Sequence, residues 1–314
     1  MRARGTFLGF SILILAEIPV VAQQVDYSRP VDVAPSQESI GDDYVTPDVQ
    51  RPLPRAVFWQ VADVILLAVA LGVAAWLALW RRQRGWLVAL TVACVAYFGF
   101  YRQGCVCPIG STQNIAVALV DPSYGVPYYV IAIFVLPLVA ALFFGRVFCA
   151  GVCPLGAIQE LVLLKAIVVP RKLDTALGGF KWVYLGVALY YAVQPAVDRA
   201  FLICRLDPFV GLFRFTGPAW LLMVGGSFLV AGIFVGRPYC RWLCPYGALL
   251  SAFSRYAWRS LSITPNRELE CGLCEHACPY GAIEERRALR SDCFACGRCY
   301  TSCPVQRSSG MAAS

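Results

Sequence analysis

Near the end of the chain four cysteines fall at Cys293-x2-Cys296-x2-Cys299-x3-Cys303, followed by Pro304. This is the bacterial run in which three thiolates hold one [4Fe–4S] cubane and the fourth reaches the neighbouring cluster. Upstream, Cys271-x2-Cys274-x3-Cys278-Pro279 repeats the run without its first cysteine, and counting back by the spacing lands on Glu268. Crossed ligation predicts one cluster on Cys293, Cys296, Cys299 and Cys278, and a second on Cys271, Cys274 and Cys303. The second set lacks a fourth thiolate. Glu268 could supply a carboxylate, the site could hold a [3Fe–4S] cluster, or water or another residue could fill the corner. Zinc is the competing use of clustered cysteines, but zinc modules pair C-x2-C units and do not use this run.

A second constellation is a repeat. Gly145-Arg146-Val147-Phe148-Cys149-Ala150-Gly151-Val152-Cys153-Pro154-Leu155-Gly156-Ala157-Ile158 matches Gly236-Arg237-Pro238-Tyr239-Cys240-Arg241-Trp242-Leu243-Cys244-Pro245-Tyr246-Gly247-Ala248-Leu249 at most positions. Cys105-Val106-Cys107-Pro108-Ile109-Gly110 is a degenerate third copy. Proline suits the first position of a helix, so Cys107, Cys153 and Cys244 should each stand at a helix N-terminus. Exposed amides and the positive dipole end there favour a thiolate and an anionic cluster. The two C-x3-C pairs give Cys149, Cys153, Cys240 and Cys244, enough thiolates for one further cluster, with dithiol chemistry or structural zinc as alternatives. Cys105, Cys107 and Cys204 form a third set. They could hold a cluster with a non-cysteine ligand such as Asp207 or Asp121, or Cys204 could enter a disulfide. Cys94, alone in an apolar run, reads as a small packing residue.

The elements that carry these cysteines are set by composition. The chain has 314 residues, 59% hydrophobic and 15% charged, with fifteen cysteines, one histidine and mean hydropathy +0.62. Soluble domains average ~45–50% apolar and ~25% charged, so this is a membrane protein. The single histidine, His276, and the absence of C-x-x-C-H argue against a cytochrome.

Arg2 and Arg4, the apolar run Phe7 to Ala16 and the small residues Val20-Val21-Ala22 predict a signal peptide over 1–22, an uncleaved anchor being the alternative. Residues 23–55 are polar and Pro-rich and should form an unstructured extracytoplasmic arm. Five apolar stretches follow, Val57–Trp80, Trp86–Tyr101, Val126–Phe144, Phe180–Val197 and Pro218–Val235. Basic clusters around Arg81-Arg82, Arg171-Lys172 and Arg255 with Arg259 mark the cytoplasmic side, which puts the N-terminus outside and the C-terminus inside.

The expected fold is a membrane all-α bundle of about five transmembrane helices within 56–261, followed by a small α+β ferredoxin-like domain at 262–307 and a tail at 308–314. On this topology Cys105, Cys107 and Cys204 lie in outer loops, while Cys149, Cys153, Cys240 and Cys244 lie at the inner face. The net charge of +8 gathers largely at cytoplasmic helix ends, so nucleic acid is not an expected partner.

Together these motifs resemble the NosR, NapH and MauN type of polytopic iron–sulfur membrane proteins, whose signature is paired C-x3-C-P motifs followed by a ferredoxin-like tail. Cys149/Cys153-Pro154, Cys240/Cys244-Pro245 and the tail cysteines carry the resemblance, over about Val57 to Cys303. It implies electron supply to periplasmic oxidoreductases, or maturation of their metal centres. The chain departs from the family at two points. The large periplasmic flavin-binding domain of NosR-type members has no counterpart in 23–55, so any flavin should reside on a partner. Glu268 stands where the family pattern has cysteine.

The expected function is a bacterial inner-membrane electron conduit. Electrons would pass, in either direction, between a cytoplasmic or quinol donor and an extracytoplasmic flavoprotein, cytochrome or reductase. The alternative is an assembly factor using Cys105, Cys107 and Cys204 as transient thiols on an extracytoplasmic enzyme. No nucleophile triad, carboxylate pair or phosphate loop is evident, and no substrate site.

Overall fold

A computed structural model of the chain describes residues 55–104, 106–195, 199–216, 218–259, 261, 272–284 and 287–304. All of them belong to one unit, 53–314. The expected signal peptide, most of the polar arm, and Cys105, Glu268 and Cys271 lie outside the described residues.

The described chain is helical almost throughout. Helix α1 (Val57–Ala75) runs on through a π-helical turn at Trp76–Arg81, and α2 (Arg84–Cys94) through another at Val95–Tyr101. Then come α3 (Pro108–Val120) and α4 (Tyr128–Phe144). A third π-helical turn, Phe148–Val152, leads into α5 (Pro154–Leu161). The next elements are α6 (Arg171–Gly178), α7 (Phe180–Ala192), α8 (Leu202–Leu206), α9 (Pro208–Arg214) and α10 (Ala219–Phe234). After α11 (Pro238–Trp242) and α12 (Pro245–Ser254), the tail holds α13 (Leu273–Ala277), β1 (Ile283–Glu284), β2 (Arg287–Ala288) and α14 (Arg298–Ser302). The two strands pair antiparallel, with Ile283 opposite Ala288 and Glu284 opposite Arg287.

Proline starts α3, α5, α9, α11 and α12, where its fixed φ and missing N–H cost nothing. Along α1 and its π-helical continuation the buried residues Leu67, Ala70, Leu71, Ala74 and Ala78 recur at helical spacing, and the alanines of α1 let the Phe148–Val152 turn and α4 pack closely. The opposite face exposes Ile65, Leu66, Val69 and Val73, an apolar surface suited to hydrocarbon. Asp63 is buried in α1 and clamped by Arg102 at 2.6 Å and by the Tyr97 hydroxyl at 2.8 Å, so the carboxylate ties α1 to the end of α2.

Among the described residues two continuous helices are long and apolar enough to cross a membrane, Val57–Arg81 with 25 residues and Arg84–Tyr101 with 18. A bent apolar pair, α9 with α10 at 100°, brings the number to three if it counts as one span. Helix α4 has 17 residues and α7 has 13, shorter than the stretches Val126–Phe144 and Phe180–Val197 suggested. Pro127 caps α4 at its start, and α7 gives way at Val193 to a non-helical segment, so apolar composition outruns helix length at both places.

Candidate functional site

In the tail, Cys278, Cys293, Cys296 and Cys299 line one cavity of ≈ 320 Å³, open mouth included. Gly272 and Gly297 take left-handed conformations, φ 64° and 74°, immediately before α13 and α14 and so turn the chain into the helices bearing Cys274 and Cys299. Burial pushes the Cys293 thiol up to about 12, although the Ala295 amide, 3.4 Å from its sulfur, pulls it back. Burial likewise pushes Cys296 up to about 11. Thiols in such surroundings keep their protons at neutral pH and release them to a metal. Cys274 and Cys303 are buried, and Cys274 lies within Coulombic reach of Cys299.

The repeat thiols Cys149, Cys153, Cys240 and Cys244 are all buried and within Coulombic reach of one another. Cys149 rides on the Phe148–Val152 turn, and Cys240 lies in α11. Cys153 and Cys244 cap α5 and α12, as Cys107 caps α3. The Gly247 amide donates to Cys244 Sγ at 3.3 Å, and Gln159 Nε2 donates to Cys240 Sγ at 3.4 Å. The two copies are interleaved. A Cβ on Gly156, in the first copy, would stand 3.4 Å from Arg237 Nη1 and 3.6 Å from Cys240 Sγ, both from the second. A Cβ on Gly247, in the second, would stand 3.5 Å from Arg146 Nη2 of the first. Among the described residues no three His, Cys, Asp or Glu converge as a single metal ion requires. A cubane asks for a different geometry, four thiolates around a volume.

The third copy is placed differently from the expectation. Cys107 shares a cavity of ≈ 340 Å³, open mouth included, with Cys153 and Asp207. A cavity of this size cannot cross a hydrocarbon core of ~30 Å, so the sets expected at opposite faces are neighbours. The reason is local. Gln103 and Gly104 both take left-handed φ, 50° and 67°, and turn the chain back so that α3 starts beside α5. Hydropathy assigns loops by exclusion and does not register such a return. Cys204 is exposed, and its sulfur would lie 2.9 Å from a Cβ on Gly110, so Cys204 stands to the Cys107 turn as Cys240 stands to the Cys153 turn. Asp207 accepts from the Phe209 amide at 2.9 Å, and burial pushes its carboxyl up to about 6 against that amide and the one of Val210. Asp121 is engaged instead by Arg199 at 2.9 Å and by Ser123. Cys94 is buried in the core.

Residues between the sites carry much of the geometry, and motif spacing did not single them out. Glu160 is buried and receives Arg298 at 2.9 Å, Arg84 and Arg237 at 3.2 Å each, and the Tyr280 hydroxyl. Burial alone would raise its carboxyl, but Arg237, Arg298, Tyr280 and Arg84 hold it down to about 2. Arg237 also donates to the carbonyls of Cys149 and Ala150, the latter at 3.2 Å. Arg241 donates to the Tyr280 carbonyl at 2.6 Å. Gly236 carries no side chain where a Cβ would meet Tyr280 Cε1 at 2.7 Å. The tail is thus packed directly on the second repeat. The Gly-Arg pair that opens both copies, Gly145-Arg146 and Gly236-Arg237, is the sequence signal that could have found the arginines. Nothing local marks Glu160.

Residues 126–174 and 216–263 each match the 4Fe-4S binding domain model, one match on each C-x3-C-P copy, and residues 269–313 match the LdpA Fe-S cluster-binding domain. The putative electron transport protein YccM of Escherichia coli is 29% identical over 270 residues, covering 80% of this chain and 74% of that protein. The uncharacterised protein MJ0750 of Methanocaldococcus jannaschii is 31% identical over 213 residues, 66% of this chain and 87% of that one. The protein NirI of Paracoccus denitrificans is 30% identical over 254 residues, 72% of this chain but 36% of its own length. The regulatory protein NosR and the ferredoxin-type protein NapH also align with it. The chain belongs to the NosR/NapH family of iron–sulfur electron-transport proteins. No solved structure matches it.

The residues present fit what the NosR/NapH family binds. Four thiols around one cavity in the tail and four mutually adjacent thiols in the repeats are all-sulfur donor sets, the ligation that iron–sulfur clusters take.

Proposed function

We propose that this family member is a membrane electron conduit whose thiol sites stand in series. The observation that carries the reading is Arg237, which lies within Coulombic reach of Cys240 in the repeats and Cys296 in the tail, so two thiol sites share one wall. In this reading Cys278, Cys293, Cys296 and Cys299 hold one [4Fe–4S] cluster. Cys271, Cys274 and Cys303, with Glu268 or an open corner, hold a second, Glu-ligated or [3Fe–4S]. Cys149, Cys153, Cys240 and Cys244 hold a third. Cys107 and Cys204, with Cys105 and Asp207, hold a fourth. Bound there, such clusters supply one-electron transfer.

The chain's own part is to exclude water by burial, to aim amides and arginines at the anionic sulfurs, and to fix one site against the next. The basic clusters support about five passes, N-terminus out and C-terminus in, with α4, α7 and the bent α9–α10 pair as the passes beyond the two long helices and a ferredoxin-like tail in the cytoplasm. Partners in this reading are a cytoplasmic or quinol donor and an extracytoplasmic flavoprotein, cytochrome or reductase, in the bacterial inner membrane.

Iron and acid-labile sulfide analysis with a potentiometric EPR titration of anaerobically purified protein tests this. Several one-electron signals are expected. Cys149→Ser combined with Cys240→Ser should remove one signal and leave those of the tail, whereas iron-free protein or an unchanged spectrum sinks the reading. The exposure of Cys204 favours one alternative, an assembly factor whose thiol meets a partner protein. A mixed disulfide trapped at Cys204, in place of an EPR signal from that site, would decide for it.

A further inference from the structure

Arg146 is only 3% exposed, yet among the described residues no carboxylate pairs with it. Its Nη1 donates to the Ser291 carbonyl at 3.2 Å, while Nε and Nη2 are buried without an acceptor. The equivalent arginine of the second copy, Arg237, is neutralised by Glu160. The nearest acidic group in the chain to Ser291, Asp292, accepts from the Ser291 hydroxyl at 3.2 Å. A guanidinium cannot shed its proton, and leaving it uncompensated at this depth costs several kcal/mol. An anion must therefore face it.

The surroundings say which anion. Cys240 and Cys293 both lie within Coulombic reach of Arg146. On the repeat side, the space left by the missing Cβ of Gly247 is bounded by Arg146 Nη2 at 3.5 Å and Cys244 Cβ at 3.3 Å. On the tail side, the Phe294 ring, between Cys293 and Cys296, lies 4.0 Å from the guanidinium carbon. Lys181 lies within Coulombic reach of Arg146, Asp292 and Cys244, so this neighbourhood holds two cations. Among the described residues no carboxylate oxygen pairs with Arg146; the sulfurs of the two thiol sets are the anionic groups placed against it.

We propose that Arg146 is the shared counter-charge of two thiolate iron–sulfur sites, raising the reduction potentials of the Cys149/Cys153/Cys240/Cys244 site and the Cys278/Cys293/Cys296/Cys299 site together. The proposal rests on the reading of both sets as cluster ligands. On reduction each site gains one electron, no bond forms or breaks and no proton moves. A fixed positive charge beside the site favours that added negative charge. Arg146 acts as a positioning residue for charge and is not itself a ligand.

The test uses the full chain, purified anaerobically as wild type, R146Q and R146K, with iron and sulfide content measured alongside midpoint potentials. In iron-replete R146Q the reduced-to-oxidised ratio of both sites at fixed potential should fall about tenfold, equivalent to ~59 mV for a one-electron couple. R146K keeps the charge and should stay near the wild type. Unmoved potentials in iron-replete R146Q, or equal falls in both variants, overturn the proposal. Loss of iron from R146Q alone expresses the same charge requirement and supports it, whereas loss from both variants shows a packing role and overturns it. An iron-free wild type sinks the underlying cluster reading instead, so the two failures are distinct.

Discussion

Arg146 lies 4.0 Å from the ring centroid of Phe294, so a cation from the first membrane repeat stacks on the residue that follows the first cysteine of the tail motif. Arg237 approaches the same ring at 5.3 Å. One aromatic side chain thus receives an arginine from each copy of the repeat. Desolvated cation–π contacts are worth about 2 kcal/mol each, so the ring fastens the tail to both halves of the membrane domain.

Phe294→Ala should therefore loosen the tail selectively. The side chain is buried, and its removal should cost about 3–5 kcal/mol. Limited proteolysis should cut the variant between α12 and α13 while leaving the apolar helices intact. Cleavage no faster than in the wild type would show that the ring does not hold the tail.

Glu160→Gln should cost a comparable amount, about 3–5 kcal/mol, because it leaves Arg84, Arg237 and Arg298 around a neutral amide. The wild type should also show an acid limb that the variant lacks. The arginines hold the Glu160 carboxyl at about 2, below its ordinary ~4.3. Its stabilising contribution is complete above that ordinary value and is lost as pH falls through the lowered one. Tryptophan fluorescence of detergent-solubilised protein, from about pH 6 to about pH 2, reads the difference. Parallel curves for the two proteins would contradict the assignment.

Gly110→Ala places a methyl group 2.9 Å from the resting position of Cys204 Sγ. The thiol must move, and overpacking of this kind costs about 1–3 kcal/mol. Any EPR signal that depends on Cys107 and Cys204 should shift or vanish, with the tail signals unchanged. A spectrum identical to the wild type would detach Cys204 from the Cys107 site.

Glu268→Cys restores the missing position of the first tail run. If that corner is vacant or carboxylate-ligated, the variant should gain a four-iron signal at the expense of a three-iron or altered one. No spectral change would place the fourth ligand elsewhere.

The grouping of Cys278 with Cys293, Cys296 and Cys299 was legible in the motif spacing, and these four side chains line one cavity. Helix starts at Pro108, Pro154 and Pro245 were equally legible, since the preference of proline for the first turn is local. The hub at Glu160 was not. Its partners lie as far as 138 residues away, at Arg298, and no periodicity encodes a contact of that range. The placement of Cys107 was missed for a related reason. Whether a segment between two apolar runs goes outward or folds back depends on backbone turns at Gln103 and Gly104, to which average hydropathy is blind.

The packing of the tail on the second repeat sets an order of construction. The four repeat thiols are buried, and Ser291 and Tyr280 of the tail rest on the arginines and the glycine beside them. If these four thiols hold a cluster as proposed, its iron has to arrive before the tail packs over them, and docking of the tail then closes that site to later exchange.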